Sequence, residues 1–250
     1  MRYFIYLSFK GTRYHGWQRQ PGSVSVQEVL ENVLTLKLGE ETAVTGAGRT
    51  DTGVHALTYC AHFDCNSGTL VDSDNLIHRL NRFLPDDIAI ERIVPVRPEA
   101  SARFSAIART YIYRILRKKE PFGTETGWHV FGDLDLEAMN RAALLLLQFS
   151  DFASFCRSNS DVKTTICRVS EAVWSQEGDI LEFRIRADRF LRNMVRAITG
   201  TMVDIGQGKT TVEEFRAIIE AKDRTLAGQS APARGLFLAE IEYPSEIFEV

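Results

Sequence analysis

Gly46-Ala47-Gly48-Arg49-Thr50-Asp51-Thr52-Gly53-Val54-His55-Ala56 runs directly into Leu57-Thr58-Tyr59-Cys60-Ala61-His62-Phe63, and the second stretch reads as a β-strand. That order decides the fold. A glycine-rich loop that cradles phosphate, as in P-loop and dinucleotide-binding proteins, must open a helix, because the ligand sits on the helix N-terminus. This loop instead follows the short β-like run Thr42 to Thr45, precedes a strand and lacks Gly-Lys-Ser/Thr. Nucleotide binding of that kind is excluded. What remains is a strand–loop–strand connection carrying a guanidinium, a carboxylate and an imidazole. Its three glycines allow sharp bends or the close approach of a ligand.

Working outward toward the N-terminus, Tyr3, Ile5, Leu7 and Phe9 share one face at strand period. A loop from Gly11 to Pro21 follows, and its Trp17 is read as folded onto the core. Val26, Leu30, Val33, Leu34 and Leu36 are spaced for one helical face, with Ser25 and Glu28 as a capping box. Toward the C-terminus, Asp72 to Phe83 reads as a helix ended by Pro85, and Ile88 to Val96 as a strand. Two prolines between Val94 and Ala100 place a domain boundary near residue 100, giving domains 1–100 and 101–250. The second half repeats the scheme. Arg109 to Leu116 is a strand, Leu136 to Phe149 a helix, and Cys167–Trp174 with Ile180–Ala187 a hairpin around Glu177-Gly178-Asp179. Phe190 to Ile205 and Val212 to Ala221 read as helices, and Gly235 to Tyr243 as a closing strand. The expected fold class is α+β: two ferredoxin-like halves with mostly antiparallel sheets, side by side around a central cleft.

Length and composition are those of an ordinary globular chain, with 44% hydrophobic and 25% charged residues among 250. The longest apolar runs are too short to span a bilayer. The N-terminus lacks the apolar core and cleavage site of a signal peptide. A cytoplasmic protein without membrane contact is expected. Cys60, Cys65, Cys156 and Cys167 show no CxxC or zinc-ligand spacing, so no metal is expected and four free thiols are. The net charge of −3 does not announce a nucleic-acid partner. Charge is uneven, however. Arg184, Arg186, Arg189, Arg192 and Arg196 cluster, as do Arg109, Arg114, Arg117, Lys118 and Lys119, while acids concentrate elsewhere.

Three groups carry candidate chemistry. Asp51, as nucleophile or general base, needs a carboxylate kept ionised and held in place, which a buried arginine does. Arg49 is close in sequence, but an arginine delivered by a helix serves better. Arg189, Arg192 and Arg196 are spaced for one stripe of the predicted 190–205 helix, with no glutamate at i±4 to balance them. Unbalanced arginines suit phosphate. Tyr111 and Tyr113 face one side of a strand, where a ring stacks on bases or a hydroxyl moves a proton.

Taken together, these residues resemble the TruA-type tRNA pseudouridine synthases. Gly48-Arg49-Thr50-Asp51-Thr52-Gly53-Val54-His55-Ala56 is similar to that family's signature. Gly16-Trp17-Gln18-Arg19-Gln20 resembles its N-terminal loop, and Arg103-Phe104-Ser105-Ala106 with Arg109-Thr110-Tyr111-Ile112-Tyr113 its central strand. Phe190-Leu191-Arg192-Asn193-Met194-Val195-Arg196 with Gly200 resembles its helix motif, although the family's common form has histidine where Asn193 stands. Lys222-Asp223-Arg224 and Gly235-Leu236-Phe237-Leu238 resemble its C-terminal signatures. The resemblance spans nearly the whole chain, in order.

The resemblance implies Asp51 as catalytic carboxylate, Arg196 as its ion-pair partner and Tyr111 against the target uridine. It implies that Arg49 helps hold a flipped-out nucleotide and that Leu236 or Leu238 closes the pocket wall. Arg189 and Arg192 are expected to bind substrate phosphate, and His55 receives no catalytic role. The implied reaction converts uridines 38, 39 and 40 of tRNA to pseudouridine without a cofactor, in a homodimer. Asp51 acts at uracil C6 or at C1′, two routes the residues do not separate. A non-catalytic RNA-binding module would explain the arginines but not the glycine-bracketed Asp51. A zinc deaminase would need Pro-Cys-x-x-Cys, and a methyltransferase a glycine-rich turn opening a helix; neither occurs.

Overall fold

The computed structural model describes residues 1–65, 73–157 and 162–249. In chain order the elements are β1 (Arg2–Phe9), α1 (Val26–Leu38), β2 (Thr45–Gly46), β3 (His55–Asp64), α2 (Ser73–Asn81) and β4 (Ile88–Val96). They continue with β5 (Ala108–Leu116), β6 (Trp128–His129), α3 (Leu136–Leu145), β7 (Val169–Glu177), β8 (Ile180–Ala187), α4 (Met194–Gly206), α5 (Val212–Ala221) and β9 (Leu236–Glu242). The chain is α+β. It divides into two compact units, Met1–Ile107 with Phe237–Val250, and Ala108–Leu236. The break thus falls after Ile107 rather than near residue 100, and Phe237–Val250 groups with the first unit.

In the first unit β1 lies between β3 and β4, antiparallel to both, and β2 pairs with β3. β9 joins the other side of β3 in parallel, with His55 opposite Phe237 and Ala56 opposite Leu238. β1 is buried on both faces. Phe4 and Tyr6 are as buried as Tyr3, Ile5 and Leu7. The second face is covered by the chain's own C-terminus: Tyr243 meets the Phe4 ring edge-on at 4.9 Å and Phe248 does so at 6.2 Å. Arg92 lies 3.9 Å over the Tyr6 ring. A central strand covered on both faces reads as a continuous apolar run, which is what Phe4-Ile5-Tyr6-Leu7 is. Ser25 caps α1 by accepting the Glu28 N–H, and Gly39 closes it in the left-handed conformation. Of the helix expected over 72–83, Asp72 lies outside the described residues, and the helix ends at Asn81.

In the second unit β8 lies between β5 and β7, antiparallel to both, and β6 adds to β5 in parallel. Trp174 stacks on Phe183 at 4.9 Å, and its indole N–H meets the Met202 sulfur at 3.2 Å. Asn140 on α3 makes two bonds to the Trp174 backbone, accepting its N–H at 2.9 Å and donating to its carbonyl at 3.1 Å. That amide imitates a neighbouring strand and occupies part of the β7 edge. α4 is buried almost all round, and its Thr199 and Thr201 hydroxyls bond back to the carbonyls of Val195 and Ala197. The helix expected over 136–149 turns 3₁₀ after Leu145, and the full capping box lies at Thr211 and Glu214 on α5.

One expectation is overturned. The 190s helix begins at Met194, not Phe190, because Asn193 sits in the left-handed region at φ +67° and stops it. Arg189 and Arg192 therefore lie on the turn before the helix. Only Arg196 is helical, and the three do not form one stripe.

Candidate active site

In the first unit the β2–β3 loop is anchored on both limbs. On the first, Ala47 N–H extends the ladder to the Cys60 carbonyl at 2.8 Å. The buried Tyr59 hydroxyl donates to the Gly48 carbonyl and lies 3.4 Å from Gly48 N–H. Tyr59 in turn stacks on Trp17 at 4.0 Å, a pair worth about 0.5–1.5 kcal/mol beyond its buried area. Trp17 is a core residue, as read. On the second limb Trp17 N–H points to the Thr50 carbonyl and Gly53 N–H to that of Tyr14, both at 3.4 Å. Asp51 carbonyl accepts from Val54 N–H at 3.1 Å, and Gly53 takes φ +78° to complete the turn. The opposing loop is tied down by Asp87, which accepts from the Tyr14 hydroxyl and from Arg13 Nε, both at 2.6 Å. Burial pushes the Asp87 carboxyl up, but those two hydrogen bonds and the Arg13 charge outweigh it and hold it below its ordinary value.

The glycines are thus explained unequally. A Cβ at Gly46 would strike the Trp17 indole and the Tyr59 hydroxyl, and Gly53 serves the turn, so both answer to internal geometry. A Cβ at Gly48 would meet open space. Along the tip Arg49 is exposed, Thr50 buried and Asp51 half-buried. The Thr50 hydroxyl is the one buried side-chain oxygen or nitrogen without a hydrogen-bond partner among the described residues. Such an orphan is uncommon in a settled core.

His55 now has a place. Its ring is buried, stacks on Phe237 at 4.8 Å, and accepts the Gly11 N–H through Nδ1 at 2.9 Å. An acceptor at Nδ1 puts the proton of the neutral ring on Nε2. A Cβ at Gly11 would collide with the Val54 carbonyl, so backbone and imidazole meet here without room for a side chain. His55 is a structural pin between the two loops. His55→Ala strands a buried N–H and is expected to lower stability by about 2–4 kcal/mol, combining an unpaired amide with a lost ring. A thermal melt reads this, and a wild-type midpoint would remove the pin.

In the second unit Tyr111 lies on β5 opposite Ile185 and is half-buried. Phe190 meets it edge-on at 5.0 Å, which brings the turn carrying Arg189 and Arg192 against the tyrosine. Arg192 is exposed and Arg189 partly so. The neighbouring strand arginines are partly neutralised: Arg114 pairs with Glu182 at 2.6 Å and Arg184 with Glu171 at 3.2 Å. Tyr113 plays a different part from Tyr111. Its hydroxyl donates to the Pro232 carbonyl at 2.7 Å, and burial drives its phenol far above the ordinary value, so it serves as a donor.

Arg196, half-buried on α4, is fixed by a strap formed by residues 227–232. Its Nε donates to the Ala231 carbonyl at 2.7 Å, and Ala231 N–H returns to the Arg196 carbonyl at 2.9 Å. Asn193 donates to the Ser230 hydroxyl at 2.6 Å, and Gly228 N–H to the Thr201 hydroxyl at 3.0 Å. A Cβ at Gly200 would collide with the Gln229 carbonyl. Glycine inside a helix usually costs about 0.5–1 kcal/mol relative to alanine. Here the collision reverses the sign: Gly200→Ala is expected to destabilise by about 1–3 kcal/mol. A melting midpoint at or above wild type would show that the strap does not press on α4.

Each predicted residue thus has a position. Arg49 and Asp51 share one loop of the first unit, and Leu238 lies buried in β9 opposite Ala56. Tyr111, Arg189, Arg192, Arg196 and the buried Leu236 belong to the second unit. The family model for tRNA pseudouridine synthases matches residues 5–105 and 142–244. The chain is 51% identical over 249 residues to tRNA pseudouridine synthase A of Bacteroides fragilis, covering 99% of this chain and 98% of that protein.

The chain belongs to the tRNA pseudouridine synthase family.

Other relatives agree in extent. It is 50% identical over 249 residues to tRNA pseudouridine synthase A of Parabacteroides distasonis, spanning 100% and 98% of the two chains. With that of Acetivibrio thermocellus it shares 39% over 241 residues, covering 96% and 98%. The fold supplies what this tRNA pseudouridine synthase family member's sequence did not show: Phe190 behind Tyr111, Tyr59 behind Gly48, Asp87 behind Tyr14, and Ala231 behind Arg196. None carries a local signal, because each acts on a segment distant in sequence. No three His, Cys, Asp or Glu side chains converge to hold a metal ion among the described residues. The four cysteines are free and buried, and burial pushes the Cys60 and Cys167 thiols up to about 12. No described helix is long and apolar enough to cross a membrane.

Proposed function

We propose that this chain isomerises uridine to pseudouridine in the anticodon stem-loop of tRNAs, at positions 38, 39 and 40, as a cytoplasmic homodimer that needs no cofactor. The observation that carries the proposal is full-length membership of the family together with a doubly anchored loop that presents Asp51. The reaction breaks the C1′–N1 bond and remakes it through C5, so no atoms are lost. It needs a carboxylate that stays ionised and in place, a wall to hold the detached uracil while it turns, and a base for the C5 proton.

Asp51 is the carboxylate, and the loop's two anchored limbs limit its drift. Arg196 supplies the guanidinium that favours its charged form. Tyr111 is the aromatic wall, backed by Phe190, and Leu236 or Leu238 closes the pocket. Arg49 steadies the extruded nucleotide. Extrusion costs a few kcal/mol, which phosphate contacts from Arg189 and Arg192 offset while setting the register. Recognition by shape and backbone suits an enzyme acting at neighbouring positions of many tRNAs.

The test is tritium release from tRNA carrying [5-³H]uridine. Release at one equivalent per pseudouridine formed is expected. Tight tRNA binding without release would leave a binding module instead.

A further inference from the structure

Lys222-Asp223-Arg224 stands out in the sequence, yet the proposed chemistry gives it no task. The structure divides it into three parts. Lys222 ends α5 in the left-handed conformation, φ +55°, and its ammonium pairs with Asp151 at 2.9 Å. Asp223 caps the next short turn, accepting the Thr225 N–H at 2.8 Å and the Thr225 hydroxyl at 2.7 Å. Arg224 reaches the strap. One terminal nitrogen donates to the carbonyls of Ala227 and Gly228, each at 3.2 Å, and the other to the Ser230 hydroxyl at 3.0 Å.

We infer that Arg224 is a positioning residue for Arg196. Among the described residues its hydrogen-bond partners are all neutral oxygens, so this guanidinium is spent on fixing three points of a loop. Those points lead to Ala231, whose carbonyl receives the Arg196 Nε. With Nε donating there, a shift of that carbonyl turns the plane of the Arg196 guanidinium. The far end of the strap is pinned by Tyr113 at Pro232, and the middle by Asn193 and Thr201. The near end depends on Arg224. Lysine keeps the charge but offers no planar fork for three fixed acceptors. The inference rests on the assignment of Arg196 to the chemistry, because a displacement of about 1 Å at a catalytic group is enough to cost roughly 100-fold in rate.

The experiment compares kcat and KM on tRNA for Arg224→Ala, Arg224→Lys, Ser230→Ala, Arg196→Met and the double variant Arg196→Met/Arg224→Ala. Arg224→Ala and Arg224→Lys are expected to lose about 100-fold in kcat with KM within about twofold. Ser230→Ala, which conserves volume, is expected to lose about tenfold. In the Arg196→Met background, Arg224→Ala is expected to add nothing further. Wild-type kcat in Arg224→Lys or Ser230→Ala, a rise in KM alone, or multiplicative losses in the double variant would each overturn the inference. Should Arg224→Ala fail to fold, the lysine and serine variants decide it. Wild-type kcat in Arg196→Met would instead overturn the assignment of Arg196, and this inference with it.

Discussion

Asp51→Asn is expected to abolish pseudouridine formation while leaving tRNA affinity within about twofold of wild type. The substitution keeps the size of the side chain and removes its charge. The loop backbone is held by the bonds of Ala47, Trp17, Gly53 and Val54 N–H and by the Tyr59 hydroxyl, all of which the substitution leaves in place. A variant that folds and binds but does not turn over is the expected result. Loss of a group that acts covalently or as the obligatory base costs about 10⁴-fold or more. On the proposed assignment, affinity is carried by arginines on other segments, Arg189 and Arg192 among them. Single-turnover assays with enzyme in excess separate the two quantities, and measurable release by Asp51→Asn would remove Asp51 from its role.

Arg196→Met is the second large effect. Methionine keeps much of the apolar stem and discards the guanidinium. On the proposed assignment two things are lost together: the cation that favours an ionised carboxylate, and the Nε bond to Ala231. Removal of one preorganised charge-stabilising group costs about 10²–10³-fold in kcat. Arg196→Lys restores the charge without the fork and is expected to recover only part of it. Melting midpoints report the structural share, because the Ala231 N–H still bonds to the backbone carbonyl at position 196. Wild-type kcat in Arg196→Met would mean that Asp51 draws its support elsewhere.

Much of this was legible in the sequence for a physical reason. Strand period, helical spacing and glycine turns are local, so β4 and α5 fall on their expected ranges and the glycine loop joins two strands as read. The errors lie where distant segments overrule a local pattern. Strand period groups Tyr3, Ile5, Leu7 and Phe9 on one face but does not show that Phe4 is buried on the other, because the rings that cover it, Tyr243 and Phe248, lie far along the chain. The 190s helix looked four residues longer because spacing alone cannot see that Asn193 adopts φ +67°. That conformation also accounts for the residue. Asparagine tolerates the left-handed region better than most side chains, and its amide reaches Ser230. His55 was silent in the sequence for the same reason, its partner Gly11 being far away along the chain. Asp51 and Arg196 stand out in the sequence as candidates for chemistry, whereas the contacts of Tyr59 with Gly48 and of Ala231 with Arg196 join segments that no local pattern links.

The most direct test of the account is a map of pseudouridines in tRNA from a strain lacking this chain, complemented with wild type or with Asp51→Asn. The account predicts pseudouridine at positions 38, 39 and 40 with wild type, and unmodified uridine there in the deletion strain and with Asp51→Asn. Pseudouridine retained at those positions in the deletion strain, or restored by Asp51→Asn, would contradict it.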